Sequence, residues 1–112
     1  MDKKTTAEML KAHVYKLSHE IGERGIFKYD NLNRAAEYIE GEFRSYGYEV
    51  DFQKYNIRNR VFRNIIVTKT GVGRPREIVI LGAHYDSMKN PGADDNASAV
   101  AGLLETARIF SS

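Results

Sequence analysis

The residues best suited to chemistry fall in one stretch, Leu81-Gly82-Ala83-His84-Tyr85-Asp86-Ser87-Met88-Lys89-Asn90-Pro91-Gly92-Ala93-Asp94-Asp95-Asn96-Ala97-Ser98. In an extended segment residues two apart face the same side, which turns His84 and Asp86 toward one pocket at the carboxyl end of an apolar strand, where ligands of open α/β sheets collect. Asp86 is then placed to accept the N–H of one imidazole nitrogen and leave the other free for a cation. Eleven positions past His84, Asp95 stands just before a helical pattern, whose positive end favours a carboxylate. A His nitrogen and a carboxylate oxygen converging in a chain without cysteine suit zinc or a similar divalent ion. Residue types alone leave a plainer reading open. His-x-Asp pairs also serve structure, and Asp94-Asp95-Asn96 makes an equally good turn and helix cap.

Other chemistries find less support. His19-Glu20-Ile21-Gly22-Glu23 lacks the second His of a helical His-Glu-x-x-His site, and His13 and His19 fall on different helix faces, so both read as structural. Gly71-Val72-Gly73 is a turn without the glycine spacing or Lys of a phosphate loop. No Gly-x-Ser-x-Gly elbow is present for a serine nucleophile. The absence of cysteine also removes disulfides, thiolate nucleophiles and Cys-type zinc fingers. From Lys54 to Arg76 there are seven basic residues and no acidic one. Alternating strand and turn positions make that run a solvated face rather than a nucleic-acid surface. A formal charge of +2 is too balanced to point to a polyanion or a membrane.

The elements that must carry these residues follow from periodicity. Ala7, Leu10, Val14, Leu17 and Ile21 mark one face of a helix ending near Gly22. Leu32, Ala36, Ile39, Phe43 and Tyr46 mark a second, with Asn31 or Asn33 as its cap and Gly47 as its stop. Tyr48, Val50 and Phe52 alternate with polar neighbours as a half-buried strand, and Val61–Thr68 is β-branched enough for another. Glu77–Ala83 reads as a continuous apolar strand buried on both faces. Ala97, Val100, Ala101, Leu104, Ala107 and Arg108 with Phe110 outline a third helix. The order predicts an α/β fold with a mixed sheet flanked by helices, and 112 residues make one domain at most. No segment approaches the ~20 apolar residues of a membrane span. The start, Met1-Asp2-Lys3-Lys4, has no secretory-leader pattern, which leaves the compartment open.

Gly-Ala-His-Tyr-Asp-Ser at 82–87, Pro-Gly-Ala-Asp-Asp-Asn-Ala-Ser at 91–98 and Leu103-Leu104-Glu105 together resemble the zinc aminopeptidases of peptidase family M28. The likeness extends through Ala35-Ala36-Glu37-Tyr38-Ile39, Gly47-Tyr48-Glu49-Val50 and Asn64-Ile65-Ile66, about residues 14 to 110. The resemblance implies that His84 ligates one zinc, that Asp86 is the catalytic-site residue orienting it, and that Asp95 rather than Asp94 bridges two zinc ions, with a cis peptide bond after it. Ala99 departs from the Gly common in the family. The family's general-base Glu, the Glu beside it, a further Asp ligand and a late His ligand have no counterpart in these residues. The resemblance therefore implies a single partial domain over 1–112, the front part of a zinc-dependent exopeptidase (phosphorylase/hydrolase-like) domain. Its metal cage is expected to be incomplete, and the chain alone is expected to lack peptidase activity.

In its complete form such a protein would take peptide substrates and two zinc ions, with neither nucleic acid nor membrane as partner. An unpaired sheet edge is expected to favour self-association. The alternatives are a non-catalytic M28-like interaction module and a glutaminyl cyclase-like enzyme using one zinc.

Overall fold

Asp2 starts the first helix. Its carboxylate accepts from the Lys4 backbone N–H at 3.0 Å and the Thr5 hydroxyl at 2.6 Å, satisfying donors that no helical carbonyl reaches. In the computed structural model, which describes residues 1–111, helix α1 spans Lys3–Tyr15 and widens into a π-helical turn, Lys16–Ile21. Gly22, at φ 85°, ends it. The buried face differs from the expected one at its start: Ala7 is exposed, and His13 joins Leu17 and Ile21 inside.

Helix α2 spans Tyr29–Ser45 and buries Leu32, Ala36, Ile39 and Phe43, as the sequence spacing predicts, together with Ala35, whereas Tyr46 stands half-buried at the C-cap. Neither Asn31 nor Asn33 caps it. Lys28 holds the cap position without a side-chain bond, and Asn31, inside the first turn, donates to the Glu23 carbonyl at 2.9 Å. Gly47, at φ 94°, turns the chain out of the helix.

Strands β1 (Asp51–Ile57) and β2 (Arg60–Ile66) form an antiparallel hairpin with Tyr55 opposite Phe62. The turn between them, Arg58-Asn59, has positive φ at both residues, as a two-residue hairpin turn matching the strand twist requires. The first strand thus begins later than the Tyr48–Gln53 alternation suggests. Tyr48 and Val50 instead pack on the core just ahead of it.

The expected mixed sheet is corrected here. Among the described residues the sheet has two strands, and Glu77–Ala83 is extended but unpaired. A doubly buried strand forms only where both faces and both edges are covered, whereas Ile78, Val79 and Ile80 are 82%, 88% and 86% exposed. An open cleft of about 790 Å³ lies between this segment, β2 and the third helix.

That helix, α3, spans Ser98–Phe110 and is entered through a wide turn, Ala93–Ala97. Its Val100 and Leu104 meet Leu17, Ile21, Ala35, Ile39 and Phe43 in one core. The Tyr48 hydroxyl fastens α3 by donating to the Ala107 carbonyl at 2.7 Å. Glu105 of the same helix is almost fully buried and forms a two-bond ion pair with Arg108. Among the described residues no helix is long and apolar enough to cross a membrane.

Candidate metal centre

His84 sits where the extended segment Glu77–Ala83 meets the polar loop 85–92. Its Nδ1 lies 3.1 Å from Asp86 Oδ1 and its Nε2 lies 3.2 Å from Asp95 Oδ1. The ring is therefore held between two carboxylates, one from the start of the loop that follows it and one from the approach to α3. Asn96 reinforces the approach by donating from Nδ2 to the His84 carbonyl at 3.3 Å. Asp95 and Asn96 have non-helical backbone angles, so α3 proper begins only at Ser98. The peptide bond between them is cis.

The two contacts differ in kind. With its proton on Nδ1, the imidazole donates to Asp86 and presents the Nε2 lone pair to Asp95. A lone pair facing a carboxylate oxygen repels it, so the second contact is attractive only with a cation between them, either a proton on Nε2 or a metal ion. Two ligands of one tetrahedral zinc, with bonds of about 2.0–2.1 Å, stand about 3.3 Å apart. The observed 3.2 Å separation fits that spacing. All three side chains are more than half exposed, so the pair is open to solvent and to an incoming ligand.

His84 and Asp95 are nevertheless a pair rather than a cage. Among the described residues, no group of three or more His, Asp or Glu side chains is placed to hold a metal ion. Asp94, next to Asp95, uses its backbone carbonyl to accept from Ser98 Oγ at 2.7 Å. His13 is buried away from this site with Nδ1 against the Tyr38 hydroxyl, and His19 is exposed and stacked on Tyr15. Both have structural surroundings. Beside His84 opens a cleft of about 500 Å³, walled by Phe62, Ile65, Leu81, Val100 and Leu104, the apolar sides of β2, the extended segment and α3.

One residue that positions the loop does not stand out in the sequence. Arg24, fully buried, follows the Gly22 that ends the first helical segment. Its side chain donates to the carbonyls of Leu17, Gly22, Tyr85, Pro91 and Gly92, and its backbone exchanges bonds with Ser87. Burial pushes its guanidinium below the usual value, and the nearby Asp86 carboxylate opposes that shift. A signal was present in the glycines around it. A Cβ on Gly25 would strike the Ser87 carbonyl oxygen, and one on Gly92 would lie 2.6 Å from the Asp95 carbonyl oxygen and 2.9 Å from Arg24 Nη2.

Residues 64–112 match the family model described as peptidase family M28. An uncharacterized protein of Escherichia coli, YfbL, is 41% identical over 112 residues, an alignment covering 92% of this chain and 34% of that protein. A probable aminopeptidase of Saccharomyces cerevisiae is 40% identical over 55 residues, covering 42% of this chain and 15% of its own. A probable zinc metalloprotease of Pyrenophora teres f. teres is 29% identical over 101 residues, covering 70% and 21%. The chain thus spans about a third or less of the length of these relatives. No solved structure matches it.

Proposed function

The chain belongs to peptidase family M28, and from this membership and the His84 geometry we propose that the complete protein is a zinc-dependent aminopeptidase. Residues 1–112 would form the front part of its exopeptidase domain and supply part of a two-zinc site. The observation that carries the reading is the placement of one imidazole between Asp86 and Asp95, with Nε2 and a carboxylate oxygen at the spacing of two ligands on one ion. The names of the yeast and fungal relatives, a probable aminopeptidase and a probable zinc metalloprotease, support the same class.

In this reading His84 would hold zinc through Nε2 and Asp95 would hold it through its carboxylate. Bound zinc would polarise a scissile carbonyl and lower the pKa of a bound water. Asp86 keeps the proton on Nδ1, which fixes the tautomer that leaves Nε2 free. Asn96 ties the His84 backbone to the approach to α3, so the two ligands move together. The cleft beside His84 is apolar on several sides and suits an aliphatic or aromatic side chain of a peptide.

The test uses the complete protein with zinc and with chelator, on aminoacyl p-nitroanilides and on a peptide with N-terminal Gln. Metal-dependent release of the N-terminal residue, lost in Asp95→Ala, is the expected result. A protein that holds no zinc and cleaves no aminoacyl substrate overturns the proposal. Cyclised Gln product without hydrolysis replaces it with the glutaminyl cyclase alternative, and zinc binding with neither product replaces it with a non-catalytic relative.

A further inference from the structure

We propose that Arg24 is a positioning residue for the metal pair, acting through the backbone of the 85–92 loop. This inference rests on the functional reading above for its metal and on the hydrogen bonds of this chain for its geometry. Arg24 Nε donates to the Tyr85 carbonyl at 2.8 Å, at the residue between His84 and Asp86. Nη1 donates to Pro91 at 2.6 Å and Nη2 to Gly92 at 3.1 Å, at the other end of the loop. Gly92 leads directly to Asp95: its carbonyl also accepts the Ala97 N–H at 3.0 Å, and its α-carbon leaves no room for a side chain against the Asp95 carbonyl oxygen. One planar cation therefore spans the two backbone segments that carry the His and the Asp.

Arginine suits the task for a physical reason. The guanidinium is rigid, stays charged when buried and offers five N–H donors in a fixed fork. Its further bonds to the Leu17 and Gly22 carbonyls anchor the fork to the end of the first helical segment, whose negative dipole end favours a cation. Among the described residues the acceptors of the Arg24 side chain are all backbone oxygens, and the nearby Asp86 carboxylate acts on its charge without a direct bond. The buried Ser87 completes the clamp, its hydroxyl accepting the Arg24 N–H at 3.0 Å and donating to the Asn90 carbonyl at 2.9 Å. A lysine keeps the charge but has three donors on one atom and cannot reach both ends of the loop at once.

The experiment compares wild type, Arg24→Lys, Gly92→Ala and Ala36→Gly in the complete protein, with zinc affinity from chelator competition and amide hydrogen exchange read at Ser87 and Ala97. Ala36→Gly weakens α2 without touching any loop bond and controls for general loss of stability. With every protein held at conditions where it is folded, Arg24→Lys is expected to bind zinc roughly 10- to 100-fold more weakly, the range for residues that orient ligands. It should also exchange faster at both amides, while Ala36→Gly matches wild type. Gly92→Ala is expected to behave like Arg24→Lys and stands in for it if the lysine variant does not fold. Wild-type affinity in Arg24→Lys, or an equal loss in Ala36→Gly, overturns the inference and leaves the functional reading intact. If wild type binds no zinc, the functional reading falls; unchanged exchange in Arg24→Lys would then overturn the clamp as well, and faster exchange would uphold it.

Discussion

Asp95 Oδ1 lies 3.2 Å from Nε2 of His84 although the two residues come from opposite ends of a polar loop. The same ring meets Asp86 at its other nitrogen. This asymmetry, one carboxylate for the proton and one facing the lone pair, sets what each substitution should do.

His84→Ala removes the nitrogen donor and is expected to abolish high-affinity zinc binding by the complete protein, as calorimetric titration would show. Asp86→Asn keeps the shape but weakens the partner of the Nδ1 proton. Its expected loss is about 10- to 100-fold in affinity. Equal affinity in Asp86→Asn and wild type would remove Asp86 from the site.

Leu104 is fully buried where α3 meets α1 and α2. Leu104→Ala is expected to cost about 2–5 kcal/mol, the range for a large-to-small change in a packed core. Urea denaturation of the folded protein measures it. A loss under about 1 kcal/mol would mean that the helices do not share this core.

Acid should weaken the fold through His13. Burial keeps its ring neutral and its pKa below the usual 6.5. Below that pH the unfolded chain takes up a proton that the folded chain refuses, so the stabilisation present at neutral pH is lost as pH falls through the lowered value. Glu105 acts in the same direction at lower pH: its bond to Arg108 lowers its pKa, so its contribution is present above the usual carboxylate range and lost on further acidification. Urea midpoints should fall between pH 7 and 5, and less steeply in His13→Gln. Identical slopes in the two proteins would contradict the assignment.

The exposed apolar run Ile78–Ile80 predicts self-association of the 112-residue chain when it is made alone. Ile78 and Ile80 share a side of the extended segment, so Ile78→Lys with Ile80→Lys should shift the protein toward monomer in sedimentation velocity. A concentration-independent monomer in the unaltered chain would refute this.

Part of the candidate site was legible from local rules: His84 and Asp86 are two apart, and Asp95 precedes a helix. Residue types left a turn and cap as an equal reading, and the choice of Asp95 over Asp94 came from the resemblance to peptidase family M28. Helix α2 was legible from a local rule alone: its apolar residues repeat at the helical period over several turns. The sheet was not. Glu77–Ala83 has the composition of a buried strand, but pairing depends on neighbours that no local pattern specifies. The hairpin turn was also missed, since Arg58-Asn59 carries no glycine despite positive φ at both residues. Arg24 escaped notice because a lone arginine in a loop reads as solvated, and only the arrival of the 85–92 loop buries it. His13 replaced Ala7 on the inner face of α1 because the Tyr38 hydroxyl on α2 gives its Nδ1 a partner.

The most direct test of the central claim is nitrogen-15 NMR of the His84 ring in the complete protein, recorded while zinc is added. The account predicts that Nε2 moves to a metal-bound shift while Nδ1 keeps its proton and its bond to Asp86. A ring that ignores zinc, or that binds it through Nδ1, would contradict the account.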